Sequence, residues 1–412
     1  MTQSCCPEYT GLTRRGLLRG ALATAGVAAV FGGTVVSRSV APAAAEGTAP
    51  WTIVLLSLRG AADGMSLVVP HGDPVYYSAR PRIAVPAERL LARDAMFGLH
   101  PALAPLLPLW DAGRLAAVHA TGLPVANRSH FSAMEQLEDA APGSATRTGW
   151  LNRLLGTTPA ATPLEGAAVG TLPTALYGPE PVLSFRTVDD VTIAGAETLA
   201  DTDPRIASLR RAWRGDGTEM GDSIRTALST VRGFRPVIDA ADPSGSYPDT
   251  DLGRALAMVA RTLRADVGTN VFTVDHGDWD MHVGVGGPDG GWMVNQATDL
   301  ADAVAAFFGD LGPRSDQVTV VMLSEFGRRT VENAQQGLDH GWGNVMLLAG
   351  AGVRGGGYHG TWPGLALDGD ADLTVTTDYR SVLAEVVTTR TGASAATVFP
   401  GFTPETVGVM QA

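Results

Sequence analysis

The chain contains no lysine: all thirty of its basic residues are arginine. That absence excludes Schiff-base and pyridoxal chemistry, which need a lysine amine. It also excludes a Walker-type phosphate loop, in which the lysine is integral. The two cysteines, Cys5 and Cys6, both lie near the N-terminus. The rest of the chain therefore has no disulfide, no thiolate nucleophile and no thiolate metal ligand. It also lacks any later run of ~18 apolar residues, so no stable membrane span is expected in the mature chain.

The N-terminus itself is distinctive. Thr13-Arg14-Arg15-Gly16-Leu17-Leu18-Arg19 is a twin-arginine motif, followed by an uncharged, mildly apolar stretch to Val36. Ala43-Ala44-Ala45 offers a small-residue cleavage site before Glu46. Residues 1–45 read as a twin-arginine (Tat) export signal, which predicts passage through the Tat translocase. The mature protein is then expected in the periplasm, at the cell surface or outside the cell. Setting those residues aside removes four Arg and one Glu, leaving 26 basic against 41 acidic residues and a net charge of −15. So acidic a chain repels nucleic acid and anionic lipid.

The region 46–412 reads as one domain. Trp51 to Leu58 is a continuous apolar, β-branched run, the pattern of a strand buried on both faces of a parallel sheet. Further strands are expected at Leu115 to His119, Val182 to Phe185, Val271 to Val274, Gln317 to Leu323 and Val345 to Ala349. Helical segments are expected at Pro101 to Asp111, His130 to Asp139, Pro204 to Arg214, Gly221 to Arg232, Asp251 to Ala265, Trp292 to Phe308 and Asp378 to Thr389. Alternating strands and helices predict an α/β fold with a mostly parallel central sheet flanked by helices. The Gly-, Pro- and Thr-rich stretch 141–204 reads as an irregular mid-chain insertion.

Sites on open α/β sheets lie beyond the C-terminal ends of strands. Five segments bring polar groups to that edge. They are Arg59 to Gly64 with Asp63, Asn127 to Phe131 with Arg128, Ser129 and His130, Asp275 to His282, Ser324 to Arg328, and Leu338 to Trp342. The third is the densest, with Asp275, His276, Asp278, Asp280 and His282 within eight positions. Each segment has a plain structural reading. Asp63-Gly64 is a turn signal, Ser129 a helix N-cap, and Asp339-His340 a solvated loop. Their convergence argues for a centre with nitrogen and oxygen ligands, holding a divalent metal such as Zn, Mn, Ca or Mg. Gly350 to Gly355 fits a dinucleotide-binding glycine pattern, but more glycines and Pro363 follow it, so no helix should open there. Gly284 to Gly291 reads as a mobile loop or lid beside the cluster.

Several strings resemble one family. They are GAADGMSLVVP at Gly60 to Pro70, Tyr77 to Arg82, Leu99-His100-Pro101, Ser129-His130-Phe131, Gly149-Trp150-Leu151, Asp278 to His282, SEFGR at Ser324 to Arg328 and LDHGWG at Leu338 to Gly343. They are similar to the exported bacterial family numbered 1501 among domains of unknown function, grouped with the alkaline-phosphatase/sulfatase superfamily. That resemblance implies an alkaline-phosphatase-like fold and a metal site acting on phosphate or sulfate esters. On that template Asp63, Asp280, His282, Glu325, Asp339 and His340 are the implied metal ligands, with Asp278 and His130 as further candidates. Ser129 is the candidate nucleophile, and Arg128 or Arg328 would hold the anionic group bidentately. The chain departs from the superfamily where Glu325-Phe326 replaces an Asp-His pair. The absence of a Cys-x-Pro-x-Arg string excludes a formylglycine sulfatase.

Two functions follow as expectations. One is an exported metal-dependent hydrolase of a small anionic ester or a cell-wall substrate. The other is a non-catalytic exported binding or assembly protein, with Trp150, Tyr177 and Phe185 forming a glycan-binding surface.

Overall fold

A computed structural model of the chain describes residues 34–36, 50–141, 147–157, 162–368 and 370–411. The twin-arginine motif, the cleavage site at Ala43 to Ala45 and both cysteines lie outside the described residues.

Ten of the described strands form one sheet: β1 (Thr34–Val36), β2 (Thr52–Leu58), β3 (Leu115–Gly122), β4 (Gly166–Val169), β5 (Val182–Phe185), β6 (Val271–His276), β7 (Val318–Leu323), β8 (Asn344–Gly350), β9 (Gly357–His359) and β10 (Thr377–Asp378). Their order is β1-β5-β4-β6-β2-β7-β8-β3-β9, with β10 also paired to β3. The sheet is mixed but mostly parallel. β8 runs antiparallel to both β7 and β3, and β1 runs antiparallel to β5. The β8 reversal has a functional consequence. The chain leaves β7, builds the loop 324–343 at the strand ends, and returns directly down β8.

β2 shows how the interior is built. All seven of its residues are buried. Val54, Leu56 and Leu58 join one core, while Ile53 and Leu55 join the other. Side chains alternate across a strand, so only a strand covered on both faces can be apolar at every position. One cover is formed by the helices Glu219–Asp239, Asp251–Arg264 and Trp292–Leu311. The other is formed by His130–Asp139, Trp150–Leu155 and Tyr379–Thr391.

The stretch 141–204 carries the short strand expected at Val182 to Phe185 and is otherwise more regular than the excursions expected. It contributes the helix Trp150–Leu155 and the strands β4 and β5, and β4 pairs parallel with β6 inside the sheet. Its strand β4, Gly-Ala-Ala-Val, carries no bulky β-branched run to announce it. Trp150 and Phe185 are consequently buried in the two cores. Of the three aromatics proposed for a binding surface, Tyr177 alone is exposed.

Candidate metal centre

β2, β6 and β7 are parallel neighbours, so their C-terminal ends share one edge. β3 is antiparallel to β8, which is antiparallel to β7, so β3 ends there too, and the chain entering β8 starts from there. The sheet thus brings together the five segments that the sequence singles out. Close backbone approach makes this possible. Gly60 has φ +109°, and a Cβ there would stand 2.6 Å from the Asp280 nitrogen. A Cβ on Gly337 would meet the His282 carbonyl oxygen at 1.8 Å. Neither position accepts a side chain without separating the loops.

Arg328 fastens those loops from within. It is 1 % exposed. Its Nε donates to the Ala61 carbonyl at 2.7 Å, and its Nη1 to the Leu338 carbonyl at 2.8 Å. Its Nη2 faces the carbonyls of Gly60 (2.5 Å) and Trp279 (3.1 Å), and Asp280 Oδ1 at 2.7 Å. Buried and turned toward these acceptors, Arg328 is not presented to a substrate anion as expected. It is a positioning residue that crosslinks three neighbouring segments. Arg128 is partly exposed but is paired with Asp372.

At the centre, four side chains present one atom each. His340 Nε2 lies 2.9 Å from His130 Nε2, 2.9 Å from His282 Nε2 and 3.3 Å from Asp280 Oδ1. Asp280 Oδ1 lies 3.1 Å from His282 Nε2 and 3.5 Å from His130 Nε2. The ligand atoms of His130, Asp280 and His340 all fall within 4.8 Å of one another.

The opposite face of each imidazole decides what those Nε2 atoms are. His340 Nδ1 is 2.9 Å from the Arg128 carbonyl, which can only accept. His130 Nδ1 is 2.8 Å from Glu325 Oε1, and His282 Nδ1 is 3.2 Å from Asp339 Oδ1. A neutral ring whose Nδ1 donates has a bare lone pair on Nε2. In that tautomer, three lone pairs and a carboxylate oxygen would point into one small volume, an arrangement that a cation converts into coordination. Tetrahedral ligands at the usual zinc distances stand roughly 3.3 Å apart, within the observed spread. The chain's own residues thus fit a divalent ion held by His130, Asp280 and His340, with His282 Nε2 beside His340 and Asp280.

Glu325 and Asp339 stand one layer back from their expected positions as ligands. Glu325 is 3 % exposed. Its Oε1 accepts from the Gly60 N–H at 2.8 Å and faces His130, while its Oε2 lies 2.8 Å from Ser324 Oγ. Burial opposes its ionisation, but these hydrogen bonds outweigh it and hold Glu325 below the usual carboxylate range. The same contact with Glu325 raises the pKa of His130, while burial lowers that of His340. Burial also opposes ionisation of Asp280, yet the Arg328 guanidinium keeps its pKa lowered. Such outer partners fix ring orientation and basicity in metal sites.

Asp63 does not join the cluster. Its two oxygens receive Arg80 Nη1 at 2.5 Å and Nη2 at 3.0 Å, and both residues are buried. The Asp63 carboxylate is thus committed to an internal ion pair. Asp278 also stays outside the metal-ligand group, on the wall of an adjoining cavity. Ser129 is the exposed N-cap of the helix His130–Asp139, and its hydroxyl makes no capping bond. The segment Gly284 to Gly291 is tied down at its start, through Gly284 N–H to the Gln335 carbonyl (3.1 Å) and Val285 N–H to that of Gln336 (2.9 Å). As expected, the glycines after β8 lead to strand β9 and not to a helix.

The cavity has a volume of about 760 Å³ and opens beside His130, Asp280 and Glu325. Its cationic side chain is Arg59, whose role had no sequence signal beyond its place at the end of β2. Arg59 is clamped by Glu138 at 2.6 Å and Asp275 at 2.9 Å.

Residues 114–389 match the family described as "Protein of unknown function (DUF1501)". No curated protein matches the chain.

Proposed function

The chain belongs to that family of unknown function, and from its site we propose a metal-dependent hydrolase of phosphate or sulfate esters. The observation that carries the proposal is the geometry of the centre: each imidazole Nδ1 faces an oxygen acceptor, and the Nε2 atoms of His130, His282 and His340 meet Asp280. A divalent cation held there would polarise an ester oxygen and acidify water. The neighbouring cavity, of a size suited to a small organic ligand, gives the ester a place to bind.

The chain's residues divide the remaining work. Arg328 keeps Asp280 ionised and in place. Glu325 and Asp339 hold His130 and His282 in the tautomer that binds cations. No base is hydrogen-bonded to Ser129 Oγ among the described residues, so we assign the attack to water and not to that serine. The convergence of strand ends on a His/Asp centre also supports an alkaline-phosphatase-like reading of the fold. Arg14-Arg15 and the small-residue site before Glu46 support export by the Tat route to the periplasm, the cell surface or beyond.

The test is a panel of phosphate and sulfate esters assayed with the purified mature protein, before and after chelation. Turnover that disappears with chelator, returns with a divalent ion and survives Ser129→Ala supports the proposal. Metal bound in stoichiometric amount with no turnover of any ester would favour a non-catalytic binding protein.

A further inference from the structure

The cavity next to the centre carries an electrostatic signature of its own. Its lining includes Arg59, but that charge is already matched by Glu138 and Asp275. Glu135 is matched by Arg147. Asp278, in contrast, has no ion-pair or hydrogen-bond partner for its carboxylate among the described residues. Its backbone is left-handed, with φ +62°. Gln296 Nε2 pins the turn by donating to the carbonyls of Gly277 (2.7 Å) and Asp278 (2.9 Å). Aspartate is among the few non-glycine residues that adopt positive φ readily, so the turn places this carboxylate on the cavity wall without strain.

The rest of the lining is apolar and aromatic. Met134 and Leu172 form part of the wall, and Phe131 and Tyr177 stand exposed on it, Phe131 at 92 % and Tyr177 at 45 %. An exposed carboxylate without a protein partner and exposed aromatic side chains on one cavity lining suit one chemical class well: an organic cation, held by charge and by ring quadrupoles. A second anion is the class it suits least.

We propose that this cavity selects esters whose alcohol portion carries an organic cation, a quaternary or protonated amine, with Asp278 as the specificity-determining residue and Phe131 and Tyr177 as its aromatic walls. The inference rests on the hydrolase reading for the ester half of the substrate. The substrate is then zwitterionic, its anionic ester directed to the His/Asp centre and its cation to the cavity. Hydrolysis would add water across the ester bond and release the amino alcohol, with no oxidant or reductant involved.

Two matched probes test this on the metal-loaded mature protein. One is phosphorylcholine; the other is 3,3-dimethylbutyl phosphate, in which an uncharged tert-butyl group replaces the trimethylammonium, and inorganic phosphate release is read for both. The cationic ester should be preferred by about tenfold in kcat/KM, mostly through KM. Asp278→Asn retains tolerance of positive φ while deleting the charge, and should reduce that preference to below about threefold. Equal turnover of the two esters, or a preference unchanged in Asp278→Asn, would overturn the inference while leaving the hydrolase reading intact. A calorimetric titration with choline and with 3,3-dimethylbutanol keeps the test independent of turnover. Tighter binding of choline, weakened by Asp278→Asn, supports the inference even if no ester is hydrolysed. Equal binding of the two, or no binding of choline, counts against it.

Discussion

Asp63 and Arg80 form a two-pronged ion pair across a gap of 17 positions, with Arg80 fully buried and Asp63 3 % exposed. Arg80 also donates to the carbonyls of Thr330 (3.0 Å) and Arg329 (2.9 Å). The pair therefore anchors the chain that leaves the SEFGR segment, close to the centre but not part of it.

The first prediction separates a stabilising role for Asp63 from a ligating one. Removing one partner of a buried pair leaves an uncompensated charge and typically costs about 3–5 kcal/mol. Asp63→Asn should lower the denaturation midpoint accordingly, while the folded fraction still binds one metal ion. Loss of metal with no loss of stability would make Asp63 a ligand after all.

Glu325 gives a second prediction. Glu325→Gln preserves shape but removes the charged acceptor that holds the His130 Nδ1–H. Outer partners of metal-bound histidines are typically worth about 10–100-fold in metal affinity. Competition with a chelator should show a loss of that size, against complete loss for His340→Ala.

The two arginines once considered for anion binding should behave oppositely. Arg328→Lys cannot reproduce the five contacts of a planar guanidinium. It should destabilise the protein by about 3 kcal/mol or more and also release metal, because Asp280 loses its anchor. Arg128→Ala breaks a partly exposed pair and should cost less than about 1 kcal/mol. Thermal unfolding and metal content, measured on the same samples, check both.

Burial pushes two histidines outside the centre, His100 and His119, down to about 4 from an ordinary 6.5. An unfolded chain binds more protons than the folded one between those values. The stability each provides is therefore fully present above about pH 6.5 and lost as pH falls toward 4, by roughly 3 kcal/mol per residue. His119 stacks on Phe97 at 4.3 Å, and its Nδ1 has no partner, so phenylalanine can take its place. Denaturant titrations of the protein and of His119→Phe, from pH 7.5 to 4, should diverge in that window, with the variant losing less.

Much of the fold was legible because burial on both faces leaves a continuous apolar run. That pattern marks Thr52–Leu58, and the helix His130–Asp139 has the bounds that its sequence suggests. β4 was not legible, since four small residues become a strand through pairing with β6. At the site, the five converging segments could be read from where strands end. The layering of the centre could not. A carboxylate after a strand is equally able to bind metal or to hold a ligand in place, and only tertiary geometry puts Glu325 behind His130. The commitment of Asp63 to Arg80 depends likewise on a loop path that no local pattern encodes.

Elemental analysis of the purified mature protein tests most directly whether the Nε2 atoms that meet at Asp280 hold a metal. One divalent ion per chain is predicted, retained in Asp63→Asn and Ser129→Ala and lost in His340→Ala. A protein that remains metal-free after equilibration with divalent ions, or whose metal content is indifferent to His340→Ala, would contradict it.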